Sequence, residues 1–233
     1  MNEPANAVEL RAVCRVYRQG GTEVRALDGI DLDIPAGDFA VLVGPSGSGK
    51  TTLLNLIGGL DTPSSGRIVV AGTEIGRMSR AELAALRLRR IGFVFQDFNL
   101  IPVLSAIENV EFVMLLQGVG ARERRQRALA LFDELGLAGL EQRRPGELSG
   151  GQQQRVAVAR AVAAGPTIVL PDEPTANLDS SAGASLMDLM RRLNERQGVT
   201  FVFSTHDPMV VERARRVIRL HDGRIAADER RSG

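Results

Sequence analysis

Gly44-Pro45-Ser46-Gly47-Ser48-Gly49-Lys50-Thr51-Thr52 matches the pattern G-x-x-x-x-G-K-[ST] in full. The apolar run Phe39-Ala40-Val41-Leu42-Val43 comes immediately before it, and Leu53-Leu54-Asn55-Leu56-Ile57 follows, reading as a helix that closes at Gly58-Gly59. A strand, a glycine-rich loop and a helix in that order are the context of a phosphate-binding loop. Gly44, Gly47 and Gly49 let the backbone turn tightly and aim several N–H groups into one concavity. The start of the following helix adds its positive dipole end. Lys50 can then reach the terminal phosphates, and the Thr51 hydroxyl can ligate Mg²⁺. The other reading is a glycine-rich turn with an incidental lysine, which the flanking strand and helix disfavour. Alone, the loop implies only that a nucleoside triphosphate binds.

The chain has 233 residues, enough for one large α/β domain, and 44% hydrophobic residues can fill a substantial core. With 29 basic and 28 acidic residues the net charge is +1. That balance offers no footprint for nucleic acid or for anionic lipid. The single cysteine, Cys14, cannot form an internal disulfide and reads as a small strand residue. Met1 to Leu10 lacks the apolar core of a signal peptide. Val156 to Leu170 is interrupted by Arg160 and Pro166, and no segment reaches the roughly 18 apolar residues of a membrane span. Work at a membrane would therefore go through a partner.

Val8–Val13, Val24–Leu27 and Ile30–Ile34 are short alternating runs broken by Gly20-Gly21 and Asp28-Gly29, the pattern of antiparallel strands. Arg67 to Ala71 reads as another strand. Ser79 and Glu82 have capping-box spacing ahead of a helix. Ile91 to Phe95 is a strand ended by Gln96, and the loop to Pro102 carries Phe98, Leu100 and Ile101, expected to be exposed. From Ser105 to Gly139 the pattern is helical, and Arg122 to Arg127 reads as a solvated helix face rather than an interaction patch. Leu148 to Arg155 opens a helix through Ala163. Thr167 to Leu170 is a buried-type strand closed by Pro171-Asp172-Glu173-Pro174. Ser180 to Arg196 is a long helix, and Val199 to Phe203 is a strand ended by Ser204-Thr205-His206-Asp207. Glu212 to Arg215 ends a short helix. Val217 to Ile225 is a hairpin about Asp222-Gly223, and the charged tail after Ala227 is expected to fray.

Strands alternating with helices imply a mostly parallel sheet, in which nucleotides bind beyond the carboxyl ends of the strands. Gln96, Asp172-Glu173 and His206 each follow a strand end, as does the phosphate loop. With Leu148-Ser149-Gly150-Gly151-Gln152, this set resembles the ATP-binding subunit of ABC transporters over roughly Val8 to Arg224. Within that family the chain is most similar to the macrolide-exporter and lipoprotein-release class, on Phe93-Val94-Phe95-Gln96, Phe98 to Pro102, Glu108-Asn109-Val110, Leu148 to Arg155 and Asp172 to Asp179.

The resemblance implies a P-loop NTPase core of α/β class (8–95 and 164–226, with an antiparallel β-subdomain) and a mainly α-helical subdomain (96–163) carrying the signature, in one domain over 1–233. It implies an ATPase using ATP and Mg²⁺. Gly44 to Thr52, with Lys50, would hold the phosphates, and Thr51, Asp172 and Gln96 the metal. Glu173 would polarise the attacking water, the alternative being a helix N-terminal charge. His206 would contact the γ-phosphate. Tyr17 would stack on adenine, or else be a strand-edge residue. Ser149, Gly150, Gly151 and Gln152 would complete the site of a facing subunit, with Asp179 in the loop crossing the interface. The active unit would be a head-to-tail dimer, two-fold symmetric and workable as a homodimer, bound to an integral membrane permease at the cytoplasmic face of the cell membrane. Pro171 departs from the family, which carries a small residue there; either the ladder ends at Leu170 or its N–H was free.

Export or extraction of an amphiphile is the activity the class resemblance implies. A second reading keeps the ATPase but couples it to a membrane protein for cell-wall remodelling or signalling. A soluble switch in DNA repair or translation is disfavoured, because long coiled-coil insertions, paired cassettes and basic patches are missing from the sequence.

Overall fold

Strand β3 (Phe39–Val43) is buried along its whole length, and its side chains alternate between two cores. Phe39, Val41 and Val43 point into one, and Ala40 and Leu42 into the other. The same period of two recurs in β8 (Thr200–Ser204), where Phe201 and Phe203 join the first core and Val202 the second. Strands apolar on both faces belong in a parallel sheet covered on both sides. That is the arrangement in this computed structural model, which describes residues 6–20 and 22–231. Gly21, one of the expected breakers, lies outside the described residues, as do most of the N-terminal residues ahead of Val8.

The main sheet has the order β10-β9-β3-β8-β7-β6. It contains β6 (Ile91–Val94), β7 (Ile168–Pro171), β9 (Arg216–His221) and β10 (Arg224–Arg230), all parallel except the β9–β10 hairpin. One face is covered by α3 (Ala106–Leu116), α4 (Ala121–Glu134), α5 (Gly150–Ala163) and α6 (Ser180–Gln197). The other receives α1 (Lys50–Ile57), α2 (Arg80–Arg90) and a second sheet, antiparallel, of order β2-β1-β4-β5. That sheet comprises β1 (Asn6–Gln19), β2 (Thr22–Pro35), β4 (Ser65–Val70) and β5 (Thr73–Glu74). The short helix α7 (Pro208–Arg213) follows β8. The α/β class, the parallel-rich sheet and the antiparallel N-terminal part agree with the sequence.

Several local expectations change. The first strands are long, not short pieces. Asp28-Gly29 does not end β2; the pairing steps from Val13↔Ile30 to Arg15↔Leu27, so the extra residue is absorbed as a bulge, with Gly29 at φ 67°. The tail does not fray after Ala227. It continues β10 to Arg230, because Asp228 forms an ion pair with the buried Arg216 (2.6 Å), which also reaches Asp38 (3.2 Å). The hairpin turn is as expected, with Asp222 and Gly223 both at positive φ (47° and 73°). The apolar side chains after Gln96 are half-buried: Phe98 and Leu100 pack on the first core. The helix before β9 begins at Pro208, capped by Asp207. Arg122 to Arg127 is a largely solvated face, where Arg125 pairs with Glu111 (3.0 Å) and Arg127 with Glu123.

Pro171 does not end the ladder. It pairs with Val94 on the β6 side. The Asp172 N–H donates to Val94 O (2.9 Å) and that of Glu173 to Ser204 O (2.9 Å). Successive N–H groups of a strand face opposite neighbours, so the nitrogen of Pro171 faces β8. There the register runs from Val169↔Phe201 to the isolated bridge Asp172↔Ser204, skipping Leu170 and Pro171.

Candidate nucleotide site

Gly44 to Thr52 bridges β3 and α1 and forms most of a cavity of about 740 Å³. Two of its glycines have direct steric reasons. A Cβ on Gly44 would lie 2.3 Å from Leu220 O, and one on Gly49 would lie 2.6 Å from Ala26 O, with φ at 101°. Gly49 caps α1 without a side chain, and no acidic residue lies in the first turn. By contrast α2, α3 and α5 are capped by Ser79, Ser105 and Ser149, and α6 by Asp179. The open start of α1 leaves its amides and dipole to an anion. Lys50 Nζ donates to Gly44 O (2.8 Å) and Pro45 O (3.1 Å), which holds the ammonium against the loop.

Gln96, Glu173 and His206 line the same cavity, together with Ala26. The β6, β7 and β8 ends therefore meet the phosphate loop. The sequence gives no signal for Ala26. Glu173 Oε1 lies 2.9 Å from His206 Nδ1, and Oε2 accepts from Thr205 Oγ1 (3.2 Å). Asn177 Nδ2 donates to Gln96 O (3.0 Å), tying the loop after β7 to the one after β6. Arg160, on α5, grips the carbonyls of Phe98 (2.9 Å) and Asn99. Phe98 and Asn99 sit at φ 60° and 47°. Burial pushes the Arg160 guanidinium below its ordinary pKa.

Asp172 is not among the residues lining the cavity. Its Oδ1 is buried with no hydrogen-bond partner, as are Ser48 Oγ and Ser204 Oγ. Burial raises the Asp172 pKa, a push opposed by the nearby Ser204 hydroxyl, Lys50 and the Thr51 hydroxyl. A buried carboxylate oxygen without a partner is costly, and a hard cation is the partner it suits. Among the described residues no three His, Cys, Asp or Glu side chains form a metal cluster. An ion here would draw its other ligands from a hydroxyl, phosphates and water, as Mg²⁺ does in nucleotide sites.

Three expected contributors lie elsewhere. Ser149, Gly150, Gly151 and Gln152 do not line the cavity. Ser149 and Gln152 close a capping box at the start of α5, with Ser149 N–H to Gln152 Oε1 at 2.8 Å. Asp179 accepts the N–H groups of Ser181 (3.0 Å) and Ala182 (2.9 Å) as the cap of α6. Tyr17 is 37% exposed and donates its hydroxyl to Asp61 Oδ2 (2.8 Å), with the Arg15 guanidinium 4.5 Å from its ring centroid. A somewhat larger groove, about 810 Å³, is lined by Arg11, Asp33, Arg216 and Asp228. Those charges pair with one another, whereas the smaller cavity holds the loop glycines, Lys50 and the strand-end polar residues together.

The family profile described as "ABC transporter" matches residues 27–176. The lipoprotein-releasing system ATP-binding protein LolD of Anaeromyxobacter dehalogenans is 47% identical over 229 residues, covering 97% of this chain and 96% of its own. The macrolide export ATP-binding/permease protein MacB of Hyphomonas neptunium is 47% identical over 221 residues, 95% of this chain. The chain spans about a third of that protein's length (34%). Among solved structures, a dimeric post-hydrolysis state of the ATP-binding cassette MJ0796 bound to ADP and Pi superimposes with a TM-score of 0.89 at 43% identity, covering 97% of this chain and 99% of the other. A phosphate loop at the end of β3, three further strand ends turned toward it and a signature helix that leaves its own cavity alone agree with these likenesses, and the chain belongs to the ABC transporter family as an ATP-hydrolysing cassette.

Proposed function

We propose that the chain is the motor subunit of a membrane complex for export or extraction of an amphiphilic substrate, working as a head-to-tail dimer with ATP between the subunits. The observation that carries this reading is the division of parts. Gln96, Glu173 and His206 share one cavity with the phosphate loop, and the signature residues do not. Ser149 to Gln152, at the N-terminal end of α5 and therefore at its positive dipole end, suit the γ-phosphate of a facing subunit. The solved cassette it resembles is described as dimeric with ADP and Pi, and the relatives are named for macrolide export and lipoprotein release.

In this reading the amides of Gly44 to Thr52 and Lys50 hold the β- and γ-phosphates. Thr51, Asp172 and Gln96 would hold Mg²⁺, which would supply neutralisation of charge on the phosphate oxygens. Glu173 takes a proton from water as its oxygen attacks the γ-phosphorus and the bond to the leaving ADP oxygen breaks. His206 contacts the γ-phosphate. Tyr17 receives adenine on the ring face away from Arg15. Asp179 sits at the subunit interface.

ATP binding would close the dimer and product release open it, as 96–163 moves against the core of 8–95 and 164–226. An apolar groove of about 360 Å³, lined by Phe93, Phe95, Ile101, Phe112 and Leu116 above Arg160, suits a short helix of a membrane partner. Phe112 and Leu116 are its exposed large apolar side chains. None of the described helices is long and apolar enough to cross a membrane, so attachment at the cytoplasmic face would run through that partner. Coupling to a non-transport membrane protein would use the same groove; the membrane protein that co-purifies decides between them. The base assignment is tested by Glu173→Gln, which should abolish steady-state hydrolysis while retaining ATP. Undiminished turnover would sink it.

A further inference from the structure

We propose that Thr205 is a positioning residue for Glu173, and that Asp207 and Thr175 close the ring that holds it; this rests on Glu173 being the base. Glu173 sits at φ 49°, a conformation that a residue other than glycine holds only where its surroundings fix it. Its N–H is tied to Ser204 O (2.9 Å), and its carboxylate is held at both oxygens. The two holds differ in kind. The His206 side chain is 76% exposed and that of Glu173 19%, so the 2.9 Å contact to Oε1 lies on the solvent side and His206 is free to turn to a phosphate. Thr205 is fully buried.

The direction of the Thr205 hydrogen follows from counting. A hydroxyl has one hydrogen to give and can accept. Thr205 Oγ1 accepts the Asp207 N–H (3.0 Å), which leaves its hydrogen for Glu173 Oε2 at 3.2 Å. Thr205 N–H is anchored to Leu42 O (3.2 Å), on the strand that feeds the phosphate loop. Asp207 in turn accepts from Thr175 Oγ1 (2.9 Å) and caps α7 through the Met209 N–H (2.9 Å). Thr175 follows Glu173 by two positions and is buried, so the ring returns to the loop where it began. The loop after β7 is thus fastened to the loop after β8 on either side of the carboxylate. With Oε2 held from below, Oε1 is the oxygen presented to the water when His206 leaves it. A static anchor of this kind acts through geometry, where small misplacements of a reacting group are costly.

Thr205→Val removes the hydroxyl at nearly constant shape, and Thr205→Ser keeps it. We expect Thr205→Val to lower kcat by about tenfold or more with ATP affinity within about threefold of the parent, and Thr205→Ser to stay within about threefold in both. If Thr205→Val does not fold, Thr205→Ala against Thr205→Ser makes the same comparison. A hydroxyl-free variant that folds and keeps its kcat, a Thr205→Ser that falls as far, or a loss confined to ATP affinity overturns the proposal. Glu173→Gln separates the two ideas. If that variant turns over normally, the base reading fails; if it is inactive while Thr205→Val is fully active, only the role of Thr205 fails.

Discussion

Gln154 Nε2 donates to Pro174 O at 2.8 Å, and the side chain that makes this bond is fully buried. Gln154 lies on the signature helix α5, and Pro174 directly follows Glu173. The helix proposed to complete a partner's site is therefore bonded to the loop of the proposed catalytic carboxylate. Gln154 Oε1 has no partner, so Gln154→Leu removes one buried orphan but leaves the buried Pro174 O without this donor. Stability should fall by about 1–3 kcal/mol. Turnover should fall by about 2- to 30-fold if the bond carries coupling between the two places. Thermal melts and steady-state ATPase assays separate the two effects.

His206→Ala removes the contact to Glu173 Oε1 and the side chain proposed to contact the γ-phosphate. With an exposed side chain deleted, folding should be unaffected. We expect kcat to drop by about 10²-fold or more, with ATP binding changed far less. Equal loss in binding and turnover would mean that His206 serves only to hold nucleotide.

Pro171→Ala restores an N–H facing β8. One added hydrogen bond is worth about 0.5–1.5 kcal/mol, and the proline's lower entropy in the unfolded chain offsets about 0.4–1 kcal/mol of it. Stability should stay within about 1 kcal/mol of the parent, and ATPase activity within about tenfold. Denaturant unfolding and ATPase assays check both. A larger change in activity would show that the skipped pairing beside Asp172 tunes the site.

Ser105 and Glu108 close a capping box at the start of α3, with Ser105 N–H to Glu108 Oε2 at 2.7 Å. The Ser105 backbone N–H, with the Ser105 hydroxyl, holds the Glu108 carboxyl below its ordinary pKa. A carboxylate depressed on folding adds stability above its unfolded pKa, about 4.3, which is lost as pH falls through the depressed value. Glu108→Gln should therefore be less stable than the parent near pH 7, with the gap closing in acid. Ser105→Ala should cost about 1 kcal/mol. A gap independent of pH would argue against the charge.

The parts legible in the sequence are those set by local chemistry. The phosphate loop, the Ser79 capping box, the Asp222-Gly223 turn and the strands that end at Gln96, Asp172 and His206 depend on a few neighbouring residues. The features that local sequence does not reveal depend on distant partners. Asp228 looks like tail charge until Arg216 is buried beside it. Phe98 and Leu100 look exposed until Arg160, some 60 positions later, pulls their loop onto the core. Asp28-Gly29 reads as a strand break, but the bulge between β1 and β2 accommodates it. Thr205 stood in plain sight next to His206. Its value comes from Glu173 and Asp207, which periodicity cannot relate to it.

In the proposed dimer each ATP site is built from two copies of the chain. Light scattering of Glu173→Gln at saturating ATP and Mg²⁺ tests it most directly. The mass should double from about 25 to 50 kDa on adding ATP, with no doubling when Ser149→Arg is added to the same variant. A Glu173→Gln protein that binds ATP yet stays monomeric, or a dimer indifferent to Ser149→Arg, would contradict it.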